Sequence, residues 1–193
     1  MLSHLKNSSK PYLVVLIVTI ICTLLYFLHL EPQLAFRRSA ITGGQWWRLI
    51  TGNLLHTNHW HLLMNLAGLW VIAFLHEMHY RASNFLGIFL SLALLQGIGL
   101  YLLFPTLGGY VGLSGLLHGL FTYGALKDIQ KKVRSGYLLF VGVCAKVVYE
   151  QLYGATDQVT QLIGARVATE SHLVGVISGI FLFVLLRFVR RST

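Results

Sequence analysis

Gly112-Leu113-Ser114-Gly115-Leu116-Leu117-His118-Gly119 opens an apolar run that continues to Leu126 and stops at Lys127. A serine at the mouth of such a run is one of three polar sites in greasy sequence. His172 opens a second run, and His61 with Asn65 lies near the start of a third. Polar groups in lipid are expensive, so an intramembrane cluster of them points to function. This cluster holds a hydroxyl, an imidazole and hydrogen-bond donors, the parts of a serine hydrolase.

Composition supports the lipid reading. Of 193 residues, 55% are hydrophobic and only 11% charged, against about 25% charged in a soluble domain. The chain reads as one integral membrane domain over residues 1–193, with little left for a soluble module. The net charge of +9 could suggest nucleic acid. The basic residues cluster at the ends of apolar runs, however, which fits anchoring to a bilayer and no nucleic-acid partner.

A helical span needs about 20 residues, and six candidates occur, at roughly 11–30, 54–76, 83–104, 113–127, 136–153 and 169–187. The expected fold is an all-α, six-transmembrane-helix bundle. The first run follows Lys6 and Lys10 but lacks a small-x-small cleavage site, so it reads as an uncleaved span. With the amino terminus inside, the inner segments hold Lys6, Lys10, Arg81, Lys127, Lys131, Lys132, Arg134, Arg187, Arg190 and Arg191. The outer loops hold only Arg37, Arg38, Arg48 and Arg166. Both termini are therefore expected in the cytoplasm. Cys22 and Cys144 fall inside spans and read as apolar packing residues.

Parity lets the three polar sites meet. The second, fourth and sixth spans all run from outside to inside, and His61, Ser114 and His172 all lie early in them. Ser114 precedes Lys127 by thirteen residues, roughly 20 Å of helical rise. His172 precedes Arg187 by fifteen, about 22 Å, and His61 precedes His76 by the same count. All three reach one layer, below the outer surface and above the midplane. Hydrolysis at that depth needs a water-filled cavity. Residues 104–112 contain Pro105, Gly108, Gly109 and Gly112, which prevent a continuous helix and bring the chain to Ser114 in irregular conformation.

Each motif has a plain alternative. Ser114 could ease helix contact, or it could sit at a helix N-terminus where free N–H groups stabilise an oxyanion. Gly112 and Gly115 would let a substrate backbone approach. His172 could be an interhelical hydrogen-bonding residue. Yet Gly175 and Gly179 follow it as a G-x-x-x-G face, suited to close packing against the fourth span. His172 could then take and return the Ser114 proton. His61 and Asn65, at i and i+4, share a helix face and read either as a local hydrogen bond or as oxyanion donors. His56, His59 and His61 could bind zinc, but no carboxylate or thiolate lies with them. His76-Glu77-Met78-His79 misses the H-E-x-x-H pattern by one residue. The reading requires no metal and no cofactor. Lys146 and Glu150, i and i+4 in the fifth span, read as a self-satisfied ion pair or as a contact to a polar group of the substrate.

Together these residues resemble the rhomboid family of intramembrane serine proteases. Trp47-Arg48 looks like the family's motif in the first outer loop. His56, His61 and Asn65 fall on an H-x-x-x-x-H-x-x-x-N pattern, Gly112-Leu113-Ser114-Gly115 on the nucleophile motif, and His172, Gly175 and Gly179 on the sixth span. The resemblance implies Ser114 as nucleophile and His172 as general base, a dyad without an acidic third member. It also implies an oxyanion site of the Ser114 N–H, His61 and Asn65. The residues agree with a dyad, since no Asp or Glu looks placed to orient His172, and Glu170 points to another side of the helix. One departure is His118, where many rhomboids carry a tyrosine packed on the histidine. An imidazole there can stack or can hydrogen-bond.

The short six-span form, the Gly112–Gly119 string and Lys146/Glu150 look most like the rhombosortase branch. That branch is associated with proteins bearing a carboxy-terminal Gly-Gly, hydrophobic span and basic tail. The expectation is a bacterial inner-membrane protease opening to the periplasm, whose partners are the bilayer and membrane-anchored exported proteins with a C-terminal transmembrane anchor. Three alternatives share the sequence features. One is a non-catalytic rhomboid-like binder of membrane helices. Another is a small transporter using the polar layer as a solute site. The third is a metal-dependent membrane hydrolase.

Overall fold

The computed structural model of the chain describes residues 10–192, with side chains through residue 189. Lys6 and the side chains of Arg190 and Arg191, used in the charge count, lie outside this description. Ten α-helices and a short 3-10 helix (Gly52–Leu54) are present among the described residues, six of the α-helices long. These are α1 (Tyr12–Phe27), α5 (His59–Leu75), α6 (Ala82–Leu103), α7 (Ser114–Gln130), α8 (Ser135–Tyr153) and α10 (Thr169–Ser192). Short helices fill the connections: α2 (Glu31–Leu34), α3 (Arg38–Thr42), α4 (Arg48–Thr51) and α9 (Asp157–Ile163).

Each expected span coincides with one long helix, and the differences have local causes. α5 starts five residues later than expected, because Asn58 is its N-cap and accepts the His61 N–H at 2.9 Å. Before it, Leu55 is extended. α1 ends at Phe27, just before His29 turns into left-handed backbone at φ 50°. α6 and α10 are each long and apolar enough to cross a membrane, and α8 with α9 would be a third, bent by 88°. α1 and α5 are shorter apolar helices. The chain is an all-α membrane protein by this composition, with a single two-residue strand pair among the described residues: Phe36–Arg37 (β1) against Gly109–Tyr110 (β2), antiparallel.

Burial follows helical periodicity. α1 turns Val14, Val15, Val18 and Cys22 inward, while Leu13, Ile17, Ile20 and Leu24 are exposed. α5 buries Leu62, Leu66, Leu69 and Ala73 and exposes Leu63, Val71 and Phe74. Both sides of these helices are apolar, so the outward face suits lipid rather than water. α7 differs. It is the central helix, touching α5, α6, α8 and α10, and it buries residues on most of its circumference. Its glycines explain how. A Cβ at Gly175 would lie 2.0 Å from the Gly115 carbonyl oxygen, and one at Gly179 only 2.5 Å from that of Gly119. α7 and α10 therefore touch backbone to backbone along two facing glycine pairs.

Two arginines fix the connections at one end of the molecule, one before α7 and one between α1 and α5. The Arg38 guanidinium donates to the carbonyls of Leu100, Tyr101, Phe104 and Leu107 at 2.8–3.2 Å. It thus adds side-chain donors to carbonyls at and just beyond the end of α6, two of which, Leu100 and Phe104, also accept backbone N–H groups. Buried Arg48 donates to the Ala35 and Pro32 carbonyls and to Gln45. It ties the α1–α5 connection to itself. At the opposite end of the molecule, His79 Nε2 lies 2.6 Å from Asp128 Oδ1, and His76 Nε2 lies 3.6 Å from Oδ2. The α5–α6 turn is thereby fastened to the end of α7 through His79, while both ring nitrogens of buried His76 lack a hydrogen-bond partner. Cys22 and Cys144 are free thiols.

Candidate active site

α7 and α10 begin at the end of the molecule where α8 finishes, so their first turns and the last turn of α8 share one layer. Ser114 is the first residue of α7. It is delivered there by Gly112, whose φ of 129° is a conformation that L side chains rarely adopt. Gly112 is pinned on both sides. Its N–H donates to the Gly52 carbonyl at 3.1 Å, and its carbonyl accepts the Tyr110 hydroxyl. Tyr110 in turn accepts from Gln96 Nε2 at 3.1 Å.

The Ser114 hydroxyl lies 3.0 Å from His172 Nε2. The opposite ring nitrogen, Nδ1, lies 2.7 Å from Glu150 Oε2. This overturns the expectation that no carboxylate could orient His172. Glu170 behaves as expected and pairs with Arg166 at 2.5 Å. Glu150 reaches His172 from another helix, α8, which spacing along the chain does not reveal. Its second oxygen, Oε1, is 2.6 Å from Lys146 Nζ, so the ion pair of α8 exists but is not self-contained.

His118 does both things an imidazole can do at that position. Its ring stacks on His172 with centroids 4.1 Å apart and planes 17° from parallel. Its Nδ1 is 2.7 Å from the Ser114 carbonyl, and its Nε2 is 3.2 Å from Lys146 Nζ. An ammonium only donates, so Nε2 is the acceptor and Nδ1–H donates to Ser114.

His61 and Asn65 converge on the same spot from α5. A Cβ built on Gly112 would lie 2.8 Å from His61 Nε2 and 3.8 Å from Asn65 Nδ2. Thr57 Oγ1 contacts His61 Nδ1 at 3.1 Å, which leaves Nε2 facing Gly112. The Asn65 amide nitrogen is buried with no hydrogen-bond partner, a costly state unless something polar arrives. His56 stands behind, edge-on to His61 at 5.1 Å, and both its ring nitrogens are unpartnered. Gly115 serves packing: a Cβ there would meet Gln96 at 2.4 Å and the Ser171 carbonyl at 2.6 Å.

Three adjoining cavities reach Ser114. One of about 400 Å³ also contacts His61, Asn65, His118, Glu150 and His172. A second, about 310 Å³, lies beside the β1–β2 pair and includes Arg37, Thr57, Tyr110 and Arg166. A third, about 450 Å³ and almost wholly apolar, runs between α5 and α8 past Met64, Gly68, Leu138 and Val143. His118, Glu150 and His172 also offer ligand atoms within 4.8 Å of one another. Those atoms already hydrogen-bond to Ser114, Lys146 and each other, and the two imidazoles stack rather than converge, which suits a proton-handling set better than a metal cage. His59 is exposed and stands against Trp60, so the three histidines of the α5 lead-in do not assemble.

The sequence missed the Glu150 contact, although a signal existed. Glu150 follows Arg134 by sixteen residues, about 24 Å of rise from the same inner charged layer, close to the heights counted for Ser114 and His172.

Taken together, fold and site define a helical membrane protein with a hydroxyl–imidazole pair in a cavity between helices. The model of the rhomboid domain matches residues 43–188, and the chain belongs to the rhomboid family. It is 36% identical over 81 residues to YdcA of Bacillus subtilis, provisionally named a rhomboid protease, covering 42% of this chain and 41% of that one. It is 29% identical over 154 residues to the rhomboid protease GluP of the same organism, covering 78% of this chain and 29% of that one. The chain thus spans less than half the length of either relative.

Proposed function

We propose that this chain is an intramembrane serine protease that uses Ser114 and His172 as its catalytic pair. The observation that carries the reading is the 3.0 Å contact between Ser114 Oγ and His172 Nε2, next to unpaired donors and open to a cavity. Kinship with proteins named as rhomboid proteases supports it.

In the first step Ser114 Oγ attacks the scissile carbonyl carbon, and His172 Nε2 takes the hydroxyl proton. The carbonyl oxygen becomes an oxyanion, which the Ser114 N–H, His61 Nε2–H and Asn65 Nδ2 stabilise. The intermediate collapses, the peptide C–N bond breaks, and His172 returns its proton to the leaving amine. Water, or another nucleophile, then releases the acyl group from Ser114.

The substrate in this reading is a membrane-anchored exported protein cut close to a carboxy-terminal Gly-Gly anchor signal. Glycine disfavours helix, so such a segment would unwind readily into the site. Six spans, cytoplasmic termini and a site opening to the periplasmic side of a bacterial inner membrane complete the proposal, supported by the layer shared by the starts of α7 and α10. The test is labelling by a fluorophosphonate or isocoumarin. Wild-type protein should label, and Ser114→Ala should not. Equal labelling of both would end this reading. Loss of Gly-Gly from an anchored test substrate should abolish its cleavage if the rhombosortase-like specificity is right.

A further inference from the structure

We infer that Glu150 is a positioning residue for His172, so that the site works as a Ser–His–Glu relay across three helices rather than as a dyad. The inference rests on the catalytic reading of Ser114 and His172 and adds to it. Its basis is that the two nitrogens of one imidazole are engaged at opposite ends, Nε2 by the Ser114 hydroxyl at 3.0 Å and Nδ1 by Glu150 Oε2 at 2.7 Å. An ionised carboxylate only accepts hydrogen bonds. Nδ1 therefore carries the ring proton, and Nε2 turns its lone pair to the hydroxyl, the one tautomer in which His172 can act as base.

The surroundings serve that arrangement. Glu150 divides its oxygens, Oε1 to Lys146 at 2.6 Å and Oε2 to His172. The paired ammonium offsets part of the cost of holding a carboxylate charged at this depth. A simple surface ion pair would leave both ends in solvent, but the Glu150 side chain is only 12% exposed while that of Lys146 is 50% exposed. The acid is turned inward toward the imidazole. Lys146 also contacts His118 Nε2, which commits His118 Nδ1–H to the Ser114 carbonyl. The stacked ring therefore packs on His172 without competing for either of its nitrogens.

During attack the proton moves from Ser114 Oγ to His172 Nε2. The Nδ1 proton stays on the ring, hydrogen-bonded to Glu150, whose charge balances the imidazolium while it lasts. On collapse the Nε2 proton leaves with the amine. Glu150 is never protonated, and no co-reactant is needed.

The experiment measures fluorophosphonate labelling rates of the full chain in bilayers, together with the ¹⁵N spectrum of labelled histidine, His172 being assigned by comparison with His172→Asn. Glu150→Gln should label on the order of 10²–10⁴-fold more slowly than wild type. Its His172 signal should change from the Nδ1–H tautomer to a mixture, because a carboxamide can donate to Nδ1. Lys146→Met should slow labelling less. Glu150→Asp keeps the charge but withdraws it by one methylene, and serves if the glutamine variant unfolds. It should label more slowly and give a mixed tautomer. Wild-type rate and wild-type tautomer in the glutamine or aspartate variant would overturn the inference while leaving Ser114 and His172 intact. Absence of labelling in wild type would instead overturn the protease reading, and the relay with it.

Discussion

Asn65 carries an unusual burden for one side chain: a buried amide nitrogen with no partner, aimed at the space beside Gly112. Such a donor is destabilising in the resting protein and useful only when an oxyanion forms. Asn65→Ala should therefore cut peptide cleavage by roughly 10–10³-fold while leaving the unfolding temperature unchanged or slightly raised. A thermal melt beside a cleavage assay separates the two. A large loss of stability with unchanged turnover would show that the amide is structural. His172→Ala should abolish cleavage and labelling together, since the hydroxyl then has no base within reach.

At the scale of the element, catalytic geometry depends on how closely α7 and α10 approach. Gly175→Ala would thrust a Cβ to 2.0 Å from the Gly115 carbonyl, so the helices must part. Overpacking of this kind costs about 1–3 kcal/mol, and the separation acts directly on the Ser114–His172 contact three residues away. Both melting temperature and labelling should fall. Gly87→Ala is the control. A Cβ there meets nothing within 4 Å, so stability should rise by about 0.5 kcal/mol through helix propensity with activity unchanged. Arg38→Ala belongs to the same scale. It removes the guanidinium that donates to four carbonyls around the end of α6, and should loosen the loop that carries Gly112. Protease accessibility of residues 104–112 would report it.

Across the whole molecule, α1 is held to the rest by apolar packing against α5 and α6, by a hydrogen bond from Trp70 Nε1–H to Thr19 Oγ1 at 3.1 Å, and by a polar cluster beyond the end of α5. There Glu77 accepts from Lys10 at 3.0 Å and from the Tyr12 hydroxyl at 2.5 Å. The Tyr12 hydrogen bond, and then that of Lys10, hold the Glu77 carboxyl below its ordinary range. A carboxyl lowered in the folded state adds stability above its unfolded titration range and loses it as pH falls through the lowered folded one. The stability gap between wild type and Glu77→Gln should thus be present at neutral pH and close in strong acid, read by unfolding in detergent at each pH.

Much of this architecture was legible beforehand. The long apolar runs, their polarity-bounded ends and the Gly175/Gly179 face are properties of local sequence, because lipid leaves the backbone no option but helix and close contact no option but small residues. Parity and helical rise even brought Ser114, His61 and His172 to one layer. They could not say which faces of neighbouring helices look at each other. Glu150 was visible as a residue near the right depth, but its direction depends on the rotation of α8, and spacing to Lys146 alone favours a local pair. Likewise Arg38 gave no sign that it would cap α6, sixty residues away in sequence.

What the chain by itself determined is periodicity and depth: which segments are helical, how far each polar group lies from a charged end, and that a serine meets a glycine-lined neighbour. What only the tertiary structure decided is azimuth, the turning of each helix about its own axis, which puts Glu150 behind His172 and stacks His118 upon it. The physical reason is that burial in lipid rewards apolar side chains on every face of a helix, so hydrophobicity fixes length strongly and rotation weakly. Rotation is settled by a few polar contacts that exist only after the helices have packed.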